Sequence, residues 1–475
     1  MADDQHIQAT PAFDGDRIAT AHFVAGAAFL VLGGILEVLG LMSIRFGGMF
    51  PITYGRLEPM ANLALMIGFA VLSLLGGVYY TLPRLTGARL WRPELAGLGL
   101  VAIGSLVGAG LAAIAFGLGD GRDPLSLPWW IDLPLLGALG IPFLVTVGSI
   151  RDRVEKRSFV TVWFVLGGVT WLPLLYLAHL VGDLPIVSSV IVAYADVFFS
   201  AGFVTMFLFT VGTGLVYFTV ARDLDAPLAS RPLAQVGFWS LGIAAVWWGA
   251  AQLVFGPGPT WLAGVAAALG LAFPIGALVN AANVTHTLEG SWARLSEEPD
   301  ASSGVTALYL GAGVAVLAAL GGFRSVAAVT SLTAFWEAIE YAALLGVGPL
   351  LAAATSFSAV PRVTGRKLYD LGRARSFIRL TLTGAIGVLV TMGGAGLLTG
   401  YGWIAGSNSA AYIDAGEGWA QSSGGAVQAL FLLAIGFAFV TLFGHLAYAS
   451  VVLGTITRGE ATTQEVLVPV GASDE

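Results

Sequence analysis

The chain has 475 residues, 57% of them hydrophobic and 11% charged, with a formal net charge of −7 at pH 7. A soluble domain carries about 25% charged residues, so an ordinary soluble fold is excluded. The absence of cysteine excludes disulfides, thiolate iron–sulfur clusters and covalently attached c-type haem, and no basic block points to nucleic acid.

The first 17 residues are polar and include Asp3, Asp4, Asp14 and Asp16. A cleaved signal peptide starts with positive charge, so the first apolar run is expected to be the insertion signal and to stay. Runs of about 20 apolar residues then recur along the chain, the pattern of a polytopic helical membrane protein. They predict twelve spans at 19–43, 61–82, 96–118, 130–149, 158–181, 186–221, 233–255, 260–282, 304–321, 326–355, 377–400 and 425–455. The sixth, tenth and twelfth are long enough to tilt, kink or protrude. The 64 glycines suit a bundle whose helix backbones approach closely. With both ends on one side, that side holds 18 of the 22 Lys and Arg residues. The positive-inside rule then places both termini in the cytoplasm. The expected organisation is a cytoplasmic tail (1–18), one twelve-helix membrane domain (19–455) and a second tail (456–475). The Arg-rich loops 151–157 and 362–375 are topology determinants with affinity for anionic lipid headgroups.

Few polar residues fall inside these runs. "SLTAFWEAIEYAALLG" (331–346) carries Glu337 and Glu340 in the middle of the tenth predicted span, where a carboxylate costs roughly 2.5–3.5 kcal/mol on insertion scales. Glu37 sits late in the first span and reads as interfacial or helix-packing. Asn280 and Asn283 lie near the cytoplasmic end of the eighth, where solvation is expected. Trp129–Trp130 suits an interfacial aromatic belt, and Trp247–Trp248 reads as packing.

Several stretches, in order along nearly the whole chain, resemble the catalytic subunit of haem–copper oxidases, above all C-type cytochrome c oxidases and the related nitric oxide reductases. "YGRLEPMANLALMIGFAVLSLLGGVYYTLPR" (54–84) resembles that family's second helix with its preceding Gly-Arg-Leu-Arg-Pro turn. "GFWSLGIAAVWWGAAQL" (237–253) is similar to the seventh helix and "TLEGSWARL" (287–295) to the turn after the eighth. "RSVAAVTSLTAFWEAIEYAALLG" (324–346) is similar to the tenth, and "VPRVTGRKLYD" (360–370) to the loop after it. The resemblance implies an all-α, twelve-helix subunit I-like bundle.

In that family six histidines hold two haems and a copper or non-haem iron. The resemblance places their positions at Ala61, Ala195 (in "VAYADVFFSAGF", 192–203), Ala251, Gln252, Ile339 and Tyr341, and none is histidine. Haem iron needs a nitrogen, sulfur or phenolate donor, and copper or non-haem iron favours imidazole or carboxylate sets. His6, His22, His179, His286 and His445 are scattered, and only His445 is deep in a span. It reads as a residue hydrogen-bonded between helices. No cofactor is expected; haem b and copper or non-haem iron would require relocated ligands.

Tyr341 takes a position that, by the resemblance, faced a haem, and Glu337 and Glu340 flank it on the helix. A lost cofactor leaves a void that side chains, lipid or water must fill. Asp196 and Gln252 are candidates for the same intramembrane proton or polar cluster. Three functions follow. The chain could be a ligand-less, non-catalytic structural or coupling subunit of a respiratory electron-transport complex. It could be a proton, ion or small-solute transporter reusing the cavity, or an oxidase or reductase with relocated ligands. The expected surroundings are the lipid bilayer of a prokaryotic plasma membrane and other respiratory subunits.

Overall fold

A computed structural model describes residues 15–461 apart from 48–49, 183, 185, 257 and 408–411, and side chains outside 405–423. His6 and most of both tails lie outside the described residues. Among the described residues, twelve helices are long and apolar enough to cross a membrane: α1 (Asp16–Arg45), α2 (Tyr54–Thr86), α3 (Pro93–Ala115), α4 (Trp129–Arg151), α5 (Val160–Val181), α6 (Ser189–Asp223), α7 (Arg231–Gln252), α8 (Thr260–Thr287), α9 (Pro299–Gly321), α10 (Ala334–Thr364), α11 (Leu371–Ile404) and α12 (Gly424–Arg458). With twelve crossings, the start of α1 and the end of α12 share one face, called here the terminal face. No strand occurs among the described residues.

Local sequence sets the ends. Pro93 and Pro299 open α3 and α9, a position where a missing N–H costs nothing. Ser230 caps α7, its Oγ accepting from Leu233 N at 3.3 Å. α2 and α10 finish alike, in Pro83-Arg84-Leu85-Thr86-Gly87 and Pro361-Arg362-Val363-Thr364-Gly365. Each stops at a glycine with φ near +65° (66° and 64°), a backbone that glycine adopts without a Cβ penalty. Both arginines are ion-paired on the terminal face. Arg84 binds both carboxylate oxygens of Asp16 on α1, at 2.8 and 3.0 Å. Arg362 reaches Asp223 at the end of α6, at 2.7 Å, and Ser358 donates to the same carboxylate. Arg222 of α6 donates to the Tyr80 hydroxyl at 2.6 Å, so α2, α6 and α10 are tied together at this face.

These three helices also carry π-helical segments, at Leu63–Val71, Phe203–Phe209 and Ala342–Val347. α2 and α10 form the centre: their most apolar stretches are 94% and 100% buried within the bundle. α1 packs on α2 and α12, and α11 runs along α12.

The tenth span differs from its predicted range. A short helix, Arg324–Thr330, stops before Leu332, whose φ of 58° is left-handed. Thr333 caps the new helix, its hydroxyl accepting from Phe335 N. α10 thus begins at Ala334, and Glu337 and Glu340 stand in its first two turns rather than at mid-span. There the helix macrodipole favours negative charge.

Close packing rests on glycine at a few contacts. A Cβ on Gly384 of α11 would lie 2.6 Å from Thr441 N and 2.8 Å from Phe437 O of α12. Those are backbone atoms, so Gly384→Ala must push the two helices apart. Overpacking of this kind costs about 1–3 kcal/mol, and thermal unfolding in detergent is expected to show a lowered Tm. An unchanged Tm would contradict the close α11–α12 contact.

Candidate functional site

Five polar side chains from three helices meet at the ends opposite the terminal face. Glu37 comes from the last third of α1, Tyr54 and Glu58 from the first turns of α2, and Glu337 and Glu340 from the start of α10. With Asn62, Tyr341 and Met392 they line a cavity of ≈ 30 Å³. A water needs roughly 10–15 Å³ measured in this way, so the space suits about two. All four glutamates are of intermediate exposure as residues. The Tyr54 phenol lies close to the Glu58 and Glu337 carboxyls, and the Tyr341 phenol close to Thr441 of α12. No Lys, Arg or His lines the cavity among the described residues.

A fifth carboxyl, Asp123, stands in the loop between α3 and α4, close enough for its charge to act on Glu58, Glu337 and Glu340. Burial, and then the charge of Asp196, pushes the Asp123 carboxyl above its ordinary range. Asp123 thus marks the cavity's approach from the face opposite the termini.

The predicted cluster is partly reassembled. Glu337 and Glu340 do meet. Asp196 does not join them: Arg122 pairs with it, and His179 Nδ1 lies 2.9 Å from the same oxygen. The guanidinium also donates to the His179 carbonyl at 3.2 Å. Asp196 is close enough for its charge to act on Asp123. Gln252 is the last residue of α7 and is absent from the cavity wall. Glu37, read from sequence as interfacial or helix-packing, is a wall residue. Asn280 and Asn283, expected to be solvated, are buried. The Tyr217 hydroxyl donates to Asn280 Oδ1 at 2.8 Å, and Asn283 donates to Ser230 O at 2.8 Å, fixing α8 to α6 and to the cap of α7. Trp129 and Trp130 are exposed at the start of α4 and Trp248 is buried against Phe273.

The donor chemistry of these side chains does not match haem iron or copper. Three of the six resemblance-derived ligand positions are alanines with no donor atom, and Ala61 and Ala251 are 0% and 2% exposed. Gly322 and Ala251 approach so closely that a Cβ on the glycine would sit 2.9 Å from the Ala251 methyl. The described histidines are engaged elsewhere: His22 with Ile18 O, His445 with Leu345 O, His179 with Asp196 and His286 with Glu289. No group of three or more His, Cys, Asp or Glu among the described residues could hold a metal ion. The His445 contact, Nε2 to Leu345 O at 2.9 Å, links α12 to α10 as its sequence position suggested.

An all-helical bundle of twelve spans with an acid-lined cavity between the first, second and tenth is the class that fold and site define. The family model for cytochrome c and quinol oxidase polypeptide I matches residues 17–429, and the chain belongs to that family. It is 25% identical to a cytochrome c oxidase subunit 1 homolog of Azorhizobium caulinodans, over 94% of this chain and 81% of that one. It is 24% identical to the Cbb3-type cytochrome c oxidase subunit CcoN1 of Stutzerimonas stutzeri, over 74% and 76% of the two chains. A heme-copper terminal oxidase solved as a dimer by cryo-electron microscopy shares the fold, with a TM-score of 0.77 at 14% identity over 94% and 84% of the two chains.

Tyr54 and Glu58 are cavity residues that the sequence reading passed over. A signal was present: the Gly-Arg-Leu-Arg-Pro turn of the family reads Gly55-Arg56-Leu57-Glu58-Pro59 here. A cation has become an anion at the point where α2 enters the bundle.

The raised Asp123 carboxyl gives a test with a defined sign. Between its ordinary value near 3.8 and its higher folded value, the folded state holds more protons than the unfolded one, so stability falls as pH rises through that window. Asp123→Asn removes this dependence. Its Tm in detergent should match the parent near pH 4 and exceed it increasingly toward neutral pH. A gap that does not grow with pH would show that Asp123 is not held close to other acids.

Proposed function

We propose that this chain is a non-catalytic, subunit I-like component of a respiratory electron-transport complex in a prokaryotic plasma membrane, with both termini in the cytoplasm. The observation that carries the reading is the donor set. The six positions that the resemblance assigns to metal ligands hold Ala61, Ala195, Ala251, Gln252, Ile339 and Tyr341, and no three His, Cys, Asp or Glu among the described residues are grouped to hold a metal ion. The orientation is supported by the 18-to-4 partition of Lys and Arg. On this reading the terminal face is cytoplasmic and the acid cavity lies toward the outer face. Other respiratory subunits are the expected partners, as names of relatives such as subunit 1 homolog suggest.

The purified chain should show no stoichiometric Soret band, and a pyridine haemochrome assay should find less than one haem per ten polypeptides. A full complement of haem would establish relocated ligands and an active oxidase or reductase in place of this reading. Affinity purification from native membranes should recover other respiratory subunits with it.

A second reading is favoured by one observation, the cavity itself. Four carboxyls with no cation in the wall are a costly arrangement in a membrane bundle, and intramembrane acids mark proton and ion routes. In this reading the cavity loads and releases protons. Proteoliposomes holding a pH-sensitive dye should acidify under an imposed potential, and Glu337→Gln or Glu340→Gln should slow this at least tenfold. Equal rates in parent and variants would remove the transport reading and leave the first intact.

A further inference from the structure

The cavity lies toward the outer face, and a transport role needs a route from it to the cytoplasm. Buried polar groups mark one, along a single face of α1. His22, Gly26, Leu30 and Gly34 follow at intervals of four residues, with Glu37 three further on, so all project to one side of the helix.

At the level of Gly34 stands His445 of α12, with no exposed surface. Its Nε2 is held by Leu345 O at 2.9 Å, which leaves Nδ1 with no hydrogen-bond partner among the described residues. Nδ1 faces the glycine: a Cβ on Gly34 would lie 3.2 Å from it. Toward the cytoplasm, at the level of Gly26, Ser73 of α2 turns its hydroxyl to the helix, 2.1 Å from where a Gly26 Cβ would be. The Tyr448 phenol, one turn of α12 beyond His445, contacts Ser356 Oγ at 3.1 Å and lies near Ser73, whose hydroxyl is buried without a hydrogen-bond partner among the described residues. One turn further, His22 packs edge-on against Tyr79, ring centroids 5.1 Å apart. His22 Nδ1 contacts Ile18 O at 2.8 Å, while His22 Nε2 and the Tyr79 hydroxyl are both buried without hydrogen-bond partners among the described residues. The Asp16–Arg84 pair closes the row at the cytoplasmic face.

A single unpaired buried polar atom is rare and costs about 1–3 kcal/mol. Four such atoms in a row (His445 Nδ1, Ser73 Oγ, His22 Nε2 and the Tyr79 hydroxyl), with glycines where α1 passes His445 and Ser73, need a common cause. Internal water, bonded to each of them, supplies it. Leu30, fully buried, is the apolar residue between the two glycines.

We propose that this row, from the acid cavity past His445, Tyr448 and Ser73 to His22 and Tyr79, is a hydrated proton path that opens the cavity to the cytoplasm. It rests on the transport reading of the cavity. Hydroxyl groups and waters pass protons by accepting one and releasing another. His445 takes up and gives back a proton at Nδ1 while its Nε2–H stays on the Leu345 carbonyl. Each transfer moves one proton between neighbours, and no group is consumed.

The absence of cysteine from the chain makes single-cysteine probes clean. In proteoliposomes of known orientation, Ser73→Cys should react with a small, charged methanethiosulfonate reagent from the cytoplasmic side. Glu58→Cys should react with it from the outer side. Tyr448→Phe, which keeps the ring and removes the hydroxyl, and Gly34→Ala, which crowds Nδ1, should each slow dye-detected proton entry at least tenfold. An unreactive Ser73→Cys, or parental flux in both Tyr448→Phe and Gly34→Ala, would overturn the path. If Glu337→Gln stops flux while these two do not, the cavity reading survives and the path does not. If the parent conducts no protons, both fail, and a labelled Ser73→Cys would then report only a hydrated structural seam.

Discussion

The enclosure of α2 and α10 is the constraint from which the rest follows. Helices at the centre of a membrane bundle touch neither lipid nor bulk water, so each polar group on them must find a partner within the protein. At the terminal face the partners are ionic. The two Pro-Arg-x-Thr-Gly endings send Arg84 to Asp16 and Arg362 to Asp223, and α6 joins through Arg222 and Tyr80. At the opposite ends the same two helices present Glu58, Glu337 and Glu340, with Glu37 brought by α1. No cation of the described chain comes to meet them. One end of the core is neutralised by design of the chain, and the other is an accumulation of acids around a small space.

The π-helical segments belong to the same constraint. They occur in α2, α6 and α10 and nowhere else among the described residues. In α2 and α10 the segment starts within two residues of a resemblance-derived ligand position, at Leu63 after Ala61 and at Ala342 after Tyr341. A π turn widens the helix and leaves its hydrogen-bond ladder out of step, a cost proteins accept mostly at functional sites. The side chains beside these widened turns are alanine, isoleucine and tyrosine. The turn in α10 directly follows Tyr341, a residue of the cavity wall.

The legible part of this in the sequence was what repeats over many residues. Twelve spans follow from apolar length alone, and the family from motifs spread in order along the chain. What depended on one or two residues was not legible. The left-handed Leu332 moves the start of α10 by eight residues from the predicted span, and with it the depth of both glutamates. Asp196 carries the same apolar context as Glu337, yet an arginine 74 positions away captures it. Asn280 and Asn283 looked like solvated helix-end residues because nothing local announces that Tyr217 and Ser230 will cover them. Glu58 was legible only as a departure from a family turn, a signal of chemistry rather than periodicity.

Two of the resemblance-derived ligand positions have quite different surroundings in this bundle. Around Ala251 the helices have closed, with Gly322 set directly against the alanine methyl; small residues on both sides leave nothing to fill, and no charge has been introduced. Around Tyr341 the phenol takes part of the room and the remainder is lined by carboxyls. Had stability been the only requirement, apolar side chains would have served there as well as they do elsewhere in the core, since replacing buried charge by well-packed hydrophobic groups is often neutral or stabilising. Four separate acids from three helices in one cavity demand a further reason. The proposed proton path supplies such a reason, since it also accounts for the unpaired polar atoms that lead from the cavity along α1 toward the Asp16–Arg84 pair.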